Sequence, residues 1–190
     1  IAYHEAGHTL VGWLLPDASP VLKVTVIPRG QALGLTWNLP DERVIQSRDQ
    51  LMAELCVLMG GRAAEEIHSG VPCSGALNDL ERLTRLAYAM VSYYGMNERI
   101  GNISFYDSTG ERGFDLTKPY SENTATAIDE EVKKLVDEVH ERTLKLIKEH
   151  ADGFEQLARE LIDKEVVLAE DIERILGPKA GKHGEERFEE

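Results

Sequence analysis

The residues of this chain best suited to chemistry are His4, Glu5 and His8, which form an H-E-x-x-H pattern close to its first residue. On a helix, residues four positions apart lie on one face with Cβ atoms about 5 to 6 Å apart, so both imidazoles can bind the same zinc ion. The glutamate projects beside them, where it can reach a metal-bound water and take its proton. The pattern therefore predicts a zinc site on a helix, with Glu5 as its general base.

A catalytic zinc site needs three protein ligands and one open position, so a third ligand must come from another part of the chain. The metzincin pattern is excluded, because Val11 and Leu14 stand where its glycine and third histidine would be. A glutamate on a second helix would give the gluzincin arrangement, whereas an aspartate would give a shorter, stiffer oxygen ligand. Spacing alone does not rank the four remaining candidates, which are Glu65, Glu66, His68 and Asp79.

Hydrophobic spacing indicates the elements that must position these side chains. Apolar residues recur at helical spacing up to Leu15, and Pro16 ends the predicted first helix. A β-branched run at 24–27 and an apolar run at 33–39 predict two strands of a small sheet. Residues 28–30, Pro-Arg-Gly, predict the turn between these strands.

A long helix is predicted from residue 47 onward. Ser47 and Gln50 form a capping-box pattern at its start, and apolar residues then recur at helical spacing towards Ile67. Gly60 and Gly61 interrupt this pattern. Glycine inside a helix costs about 1 kcal/mol relative to alanine, so the pair indicates a place where another backbone packs closely, with a simple kink as the alternative.

The rest of the chain is mostly helical by the same criterion. Residues 77–94 have amphipathic spacing, whereas 96–120 contain three glycines and are expected to form an irregular surface with a short strand at 103–106. From 121 to 176 apolar residues recur at helical period and predict two or three helices, with breaks at Gly153 and at 164–168. The expected fold is mainly α with a small β-sheet near the N-terminus, in which a zincin-like H-E-x-x-H helix is followed by a helical bundle.

The pattern also suggests how the chain is organised. We expect one domain over residues 1–177, with a catalytic part at 1–120 and a helical part at 121–177. Residues 178–190 are polar and are expected to form a disordered tail. Because the helical pattern is already running at the first residue, which is not Met, we expect the chain to be a fragment of a longer protein.

Composition excludes several functional classes. The formal charge is −13, from 21 basic against 34 acidic residues, which disfavours binding to nucleic acid or to anionic lipid surfaces. Charged residues make up 29% of the chain and no apolar run approaches a membrane span, so a soluble domain is expected. Two cysteines, Cys56 and Cys73, form no disulfide framework, which favours a reducing compartment.

Several motifs together resemble one known family, the membrane-anchored AAA+ zinc proteases of the FtsH type, and specifically their protease domain. The resemblance covers about residues 1–177, and the motifs follow the order of that family. They are Ala2-Tyr3-His4-Glu5-Ala6-Gly7-His8, Lys23-Val24 with Ile27-Pro28-Arg29-Gly30 and Leu33-Gly34, Gly60-Gly61-Arg62-Ala63-Ala64-Glu65-Glu66-Ile67, Ser74-Gly75-Ala76-Leu77-Asn78-Asp79-Leu80, and Tyr94-Gly95-Met96.

The resemblance implies a ligand set and an activity. It assigns the third zinc ligand to Asp79, beside His4 and His8, and leaves Glu65 and Glu66 as acids that pack beside the ligands. It implies a zinc metalloendopeptidase in which a zinc-bound water attacks the peptide carbonyl while Glu5 acts as the general base.

The family also implies a larger assembly. Its members carry membrane-spanning helices and an ATPase module before the protease domain, so ATP would be used by a module that this fragment lacks. They form homohexameric rings that degrade unfolded membrane and soluble polypeptides. The resemblance therefore implies a protein at the inner membrane with this domain facing the cytoplasm, or at the equivalent organelle membrane, with membrane contact only through the missing segments.

Two other hypotheses remain open from the residues. The chain could be a zinc-stabilised oligomerisation module without peptidase activity, which would require a fourth protein ligand, and none is evident in the motif. It could also be a gluzincin-type peptidase without an ATPase partner, with Glu65 or Glu66 as the ligand.

The strand at 33–39 is a candidate edge for binding substrate, with an ordinary core hairpin as the alternative. Arg62 is expected to form a structural ion pair.

Overall fold

The computed structural model describes residues 1–28, 34–39, 45–109 and 118–181. Within these ranges the fold is mainly α with a small antiparallel sheet, as predicted. A single 3₁₀ turn, Ser74–Ala76, precedes the third helix. In chain order the elements are α1 (Ala2–Leu14), β1 (Val21–Thr25), β2 (Leu35–Asn38), α2 (Arg48–Ser69), α3 (Leu77–Ser92), α4 (Glu122–Glu149), α5 (Ala151–Lys164), β3 (Val166–Leu168) and α6 (Ala169–Leu176).

The sheet has three strands in the order β2-β1-β3. Val24 of the central strand pairs with Thr36 on one side and with Val167 on the other. The two strands near the N-terminus are confirmed, although Leu33 and the turn residues Arg29 and Gly30 lie outside the described residues. Strand β3 was not predicted, because its segment indicated only a break between helices.

The helix that carries the H-E-x-x-H pattern packs closely against α2. A Cβ placed on Gly7 would lie 2.3 Å from the carbonyl oxygen of Gly60 and 2.6 Å from the Cβ of Ala64. Neither distance is possible for a real side chain, so the two backbones can approach this far only with glycine at position 7. The expectation that another backbone packs closely is confirmed at Gly60, whereas the close neighbour of Gly61 is the side chain of His4.

The ends of α2 follow from its sequence. The Ser47 hydroxyl accepts from the backbone N–H of Gln50 at 3.3 Å, and the Gln50 side chain accepts from the N–H of Ser47 at 2.8 Å, so the predicted capping box is confirmed. At the other end Gly70 adopts a left-handed conformation with φ of 70° and ends the helix.

The helices after residue 121 share one core with the first part of the chain. Fully buried side chains from both parts pack together, among them Leu10, Leu55, Ile128, Val139 and Leu157. The division at 120 and 121 stays a prediction, and most of the predicted tail lies outside the described residues.

The predicted strand at 103–106 is wrong, because this segment is described and forms no strand. Phe105 donates its backbone N–H to the carbonyl of Ser92 at the end of α3, so this hydrogen bond goes to a helix end and not to a strand.

None of the helices in the described ranges has the length and apolar character needed to cross a bilayer.

The contact of α1 with α2 gives a stability prediction. Gly7→Ala should lower the free energy of unfolding by about 2 to 3 kcal/mol, because the new methyl group meets backbone that cannot give way. Gly12→Ala in the same helix is the control, since its Cβ would contact only Val21 and Val57 side chains at 3.4 and 3.7 Å. The free energy of unfolding of Gly12→Ala, measured by denaturant unfolding, should equal or slightly exceed that of the wild type. Equal stability of the two variants would contradict the close-packing explanation.

Candidate metal centre

Three side chains from two helices converge on one point. His4 and His8 lie on successive turns of α1, and Asp79 lies in the first turn of α3. Their ligand atoms all lie within 4.8 Å of one another. His4 Nε2 lies 3.0 Å from His8 Nε2 and 3.2 Å from Asp79 Oδ2, while His8 Nε2 lies 3.4 Å from the same oxygen. Two imidazoles and one carboxylate are a donor set that zinc uses in catalytic sites.

The second ring nitrogen of each histidine has a hydrogen-bond acceptor. His4 Nδ1 lies 2.9 Å from the carboxylate of Glu65, and His8 Nδ1 lies 2.6 Å from the carbonyl oxygen of Val57. We assign the proton of each neutral ring to Nδ1, since a carbonyl can only accept. In a neutral ring Nε2 then keeps a lone pair for a metal ion, as metal-binding histidines require, whereas a ring that gains a second proton donates from Nε2 to Asp79.

The charge on Asp79 is stabilised by the histidines. Burial alone would raise the pKa of the Asp79 carboxyl, but its hydrogen bonds to His4 and His8 outweigh burial and hold the pKa well below its usual range. Burial likewise lowers the pKa of His8, yet the hydrogen bond and charge of Asp79 leave it raised overall. In the absence of a metal, a proton on His8 thus stabilises the cluster, so protons and a metal ion compete for this site.

Glu5 is placed beside this cluster and is buried, with 6% of its surface exposed. Its Oε2 accepts a hydrogen bond of 2.9 Å from the hydroxyl of Thr36 on β2. Glu5, the two histidines and Asp79 all line a cleft of about 1470 Å³ that β2 also borders. The sequence-predicted base and ligands therefore share one accessible space.

The other candidate ligands have different contacts. Glu65 approaches His4 from the Nδ1 side, and its second oxygen accepts from the backbone N–H of Cys73 at 3.0 Å. Glu66 accepts from His140 of α4 at 2.9 Å, and His68 stacks on the ring of Tyr3. None of these three belongs to the cluster found among the described residues.

Arg62 has the structural role that was expected. Its Nε lies 3.6 Å from Glu65 Oε2, and its Nη2 donates to the carbonyl of Cys73 at 2.9 Å. Arg62 thus supports the carboxylate that holds His4 and the loop before α3.

Two further residues shape the site and were not predicted as site residues. A Cβ on Gly61 would lie 2.3 Å from the imidazole of His4, so this glycine leaves the space that the ring occupies. Its sequence signal is the Gly60-Gly61 pair, which indicates close backbone packing and not a contact with a histidine ring. Thr36 donates a hydrogen bond to Glu5. Threonine is common in strands, so the sequence alone did not indicate this contact.

Comparison with known proteins gives one family. The model of "Peptidase family M41" matches residues 1–175. The chain is 51% identical over 180 residues to the ATP-dependent zinc metalloprotease FtsH of Parabacteroides distasonis, covering 95% of this chain and 26% of the relative. It is 50% identical over 182 residues to the protein of that name from Rhodothermus marinus, covering 94% and 26%.

A similar match is found with a eukaryotic protein. The ATP-dependent zinc metalloprotease FTSH 3, mitochondrial, of Oryza sativa subsp. japonica is 44% identical over 183 residues, covering 96% of this chain and 23% of the relative. The chain thus spans about a quarter of the length of these curated relatives.

The contact of Glu65 with His4 gives a metal-affinity prediction. Glu65→Ala should weaken zinc binding about 10- to 100-fold, because the His4 ring loses the acceptor that fixes its orientation and its proton. Glu66→Ala is the matched control on the same helix, since Glu66 contacts His140 and not a ligand. Competition with a chromophoric chelator measures both affinities. Zinc binding that is unaffected in Glu65→Ala would show that the hydrogen bond does not orient His4.

Proposed function

This chain belongs to peptidase family M41 and is a zinc-dependent protease domain, and we propose that His4, His8 and Asp79 are the residues that bind its zinc. The observation that carries this proposal is the convergence of their three ligand atoms within 4.8 Å. The same convergence favours Asp79 over Glu65 as third ligand, because Glu65 contacts the opposite nitrogen of the His4 ring.

Glu5 is the proposed general base. When bound, zinc supplies a Lewis acid that polarises the peptide carbonyl and eases the deprotonation of water at neutral pH. The Glu5 carboxylate accepts the proton of the attacking water, while the hydrogen bond from Thr36 to Oε2 holds the group in place. The same carboxyl then donates that proton to the nitrogen of the leaving amine, so one side chain serves both halves of the hydrolysis.

Strand β2 is the proposed binding edge for an extended polypeptide. It pairs with β1 on one side, and among the described residues no strand pairs with its other side. Leu35, Thr36 and Asn38 border the cleft that contains Glu5. A substrate that adds to this edge by main-chain hydrogen bonds is recognised by its extended backbone and by few of its side chains, which suits unfolded polypeptides of varied sequence.

For the whole protein we propose the arrangement that the resemblance implies. Relatives of which this chain covers about a quarter are named ATP-dependent, so we assign ATP hydrolysis to a module outside these residues. That module and membrane-spanning segments would complete a homohexamer that degrades unfolded membrane and soluble proteins at a membrane. The alternative, a zinc-stabilised oligomerisation module, needs a fourth ligand, and the cluster found in the described part of the chain has three.

Zinc content and peptide hydrolysis, measured together, test the assignment. Glu5→Gln should keep about one zinc per chain and lose about 10²- to 10⁴-fold in kcat, because only the base is removed. Asp79→Asn should lose most of its zinc affinity and its activity together, since a charged ligand is replaced by a neutral amide. Hydrolysis of casein and metal analysis of the purified variants give both readouts.

Asp152→Asn is the matched control, because Asp152 occupies the first turn of α5 and is exposed. It should behave as the wild type in both assays. Full zinc binding in Asp79→Asn would assign the third ligand to another residue, and full activity in Glu5→Gln would exclude Glu5 as the base.

A further inference from the structure

We propose that Thr36 is a positioning residue for Glu5, so that the strand offered to the substrate also holds the general base. The proposal rests on the proposed function of Glu5. It adds the residue that orients this carboxylate and a strand that is shared by substrate binding and catalysis. Glu5 is buried and its Oε2 accepts a 2.9 Å hydrogen bond from the Thr36 hydroxyl. A carboxylate held at one oxygen has a restricted orientation, and general-base catalysis depends on that orientation.

The position of Thr36 is itself fixed by the sheet. Thr36 pairs with Val24 of the central strand, and Val24 pairs on its other side with Val167 of β3. Its neighbours in β2, Leu35 and Trp37, are 36% and 42% exposed, whereas the Thr36 hydroxyl contacts the buried Glu5. The Thr36 hydroxyl therefore lies on a strand whose register is set by β1, and β1 is itself paired on its other side with β3.

Gly34 supplies a second, independent contact on the same carboxyl group. A Cβ at this position would lie 2.6 Å from Glu5 Oε1 and 2.7 Å from its Cγ. No side chain can stand there while Glu5 keeps its place. The backbone at the start of β2 thus lies against Oε1, while Thr36 two residues later donates to Oε2, and the two contacts together define where the carboxylate lies.

The alternative is that Thr36 serves only as a β-branched residue that suits a strand. Valine meets that requirement equally well and is nearly the same size, but it cannot donate a hydrogen bond. Serine keeps the donor and loses the branch. The two substitutions at position 36 therefore separate the hydroxyl from the shape.

Substrate binding and catalysis share this strand. A polypeptide that adds to the side of β2 with which no described strand pairs lies on the strand that holds Glu5. We expect that loss of the hydroxyl lowers the rate of the bound complex and leaves the pairing itself intact.

Steady-state hydrolysis of an unfolded peptide by the zinc-loaded protein tests this directly. Thr36→Val should lower kcat about tenfold with KM within about twofold of wild type, and Thr36→Ser should retain about half of the wild-type kcat or more. Zinc content should be unchanged in both. A wild-type kcat in Thr36→Val, a loss confined to KM, or an equal loss in Thr36→Ser would overturn the proposal.

A stability measurement gives a readout that does not depend on activity. In the zinc-free protein, Glu5→Ala and Thr36→Val combined should shift the unfolding midpoint by less than the sum of the two single shifts, because either change alone removes the hydrogen bond. Additive shifts would overturn the proposal. If Glu5→Gln is inactive while Thr36→Val is fully active, only the role of Thr36 fails, whereas a fully active Glu5→Gln removes the proposed function on which it rests.

Discussion

The close contact between α1 and α2 is the constraint on which the site depends. Gly7 and Gly60 let the two backbones meet, and Gly61 leaves space for the His4 ring one residue later. At this separation α2 presents the carbonyl of Val57 to His8 and the carboxylate of Glu65 to His4. A wider spacing would remove both acceptors and would leave each imidazole free to rotate and to change its protonated nitrogen. The close packing of the two backbones thus fixes the orientation and the protonated nitrogen of both imidazoles.

Much of this architecture could be predicted because it is local. The H-E-x-x-H spacing places both histidines on one helical face, and the Ser47 capping box defines the start of α2 without reference to the rest of the chain. The Gly60-Gly61 pair predicted a close neighbour. Glycine destabilises a helix, so two of them indicate that a neighbouring group leaves no room for a side chain. What the pair could not give is the identity of that neighbour, which is the backbone at Gly7 for one glycine and the ring of His4 for the other.

The parts that could not be predicted depend on residues distant in sequence. Glu65 and Asp79 are both acids near the same histidine, and spacing could not rank them, because the difference is which nitrogen of the His4 ring each one faces. Strand β3 was missed for a related reason. Three residues between two helices have almost no pattern of their own, and they form a strand only because β1 offers them a partner. Residues 103–106 show the converse, since Ile103, Phe105 and Tyr106 suit a strand but no strand pairs with this segment among the described residues.

The third strand also gives the later helices a part in the site. β3 connects α5 to α6 and pairs with β1, which pairs in turn with β2, and β2 carries Thr36 to Glu5. A continuous set of backbone hydrogen bonds therefore runs from residues 166–168 to the strand that contacts Glu5, the proposed general base. Two-stranded ribbons are marginal in water, and a third strand packed on helices is what makes such a sheet stable. Although His4, Glu5, His8 and Asp79 lie within the first 80 residues, the sheet that brings Thr36 to Glu5 is completed by a segment almost 90 residues beyond Asp79.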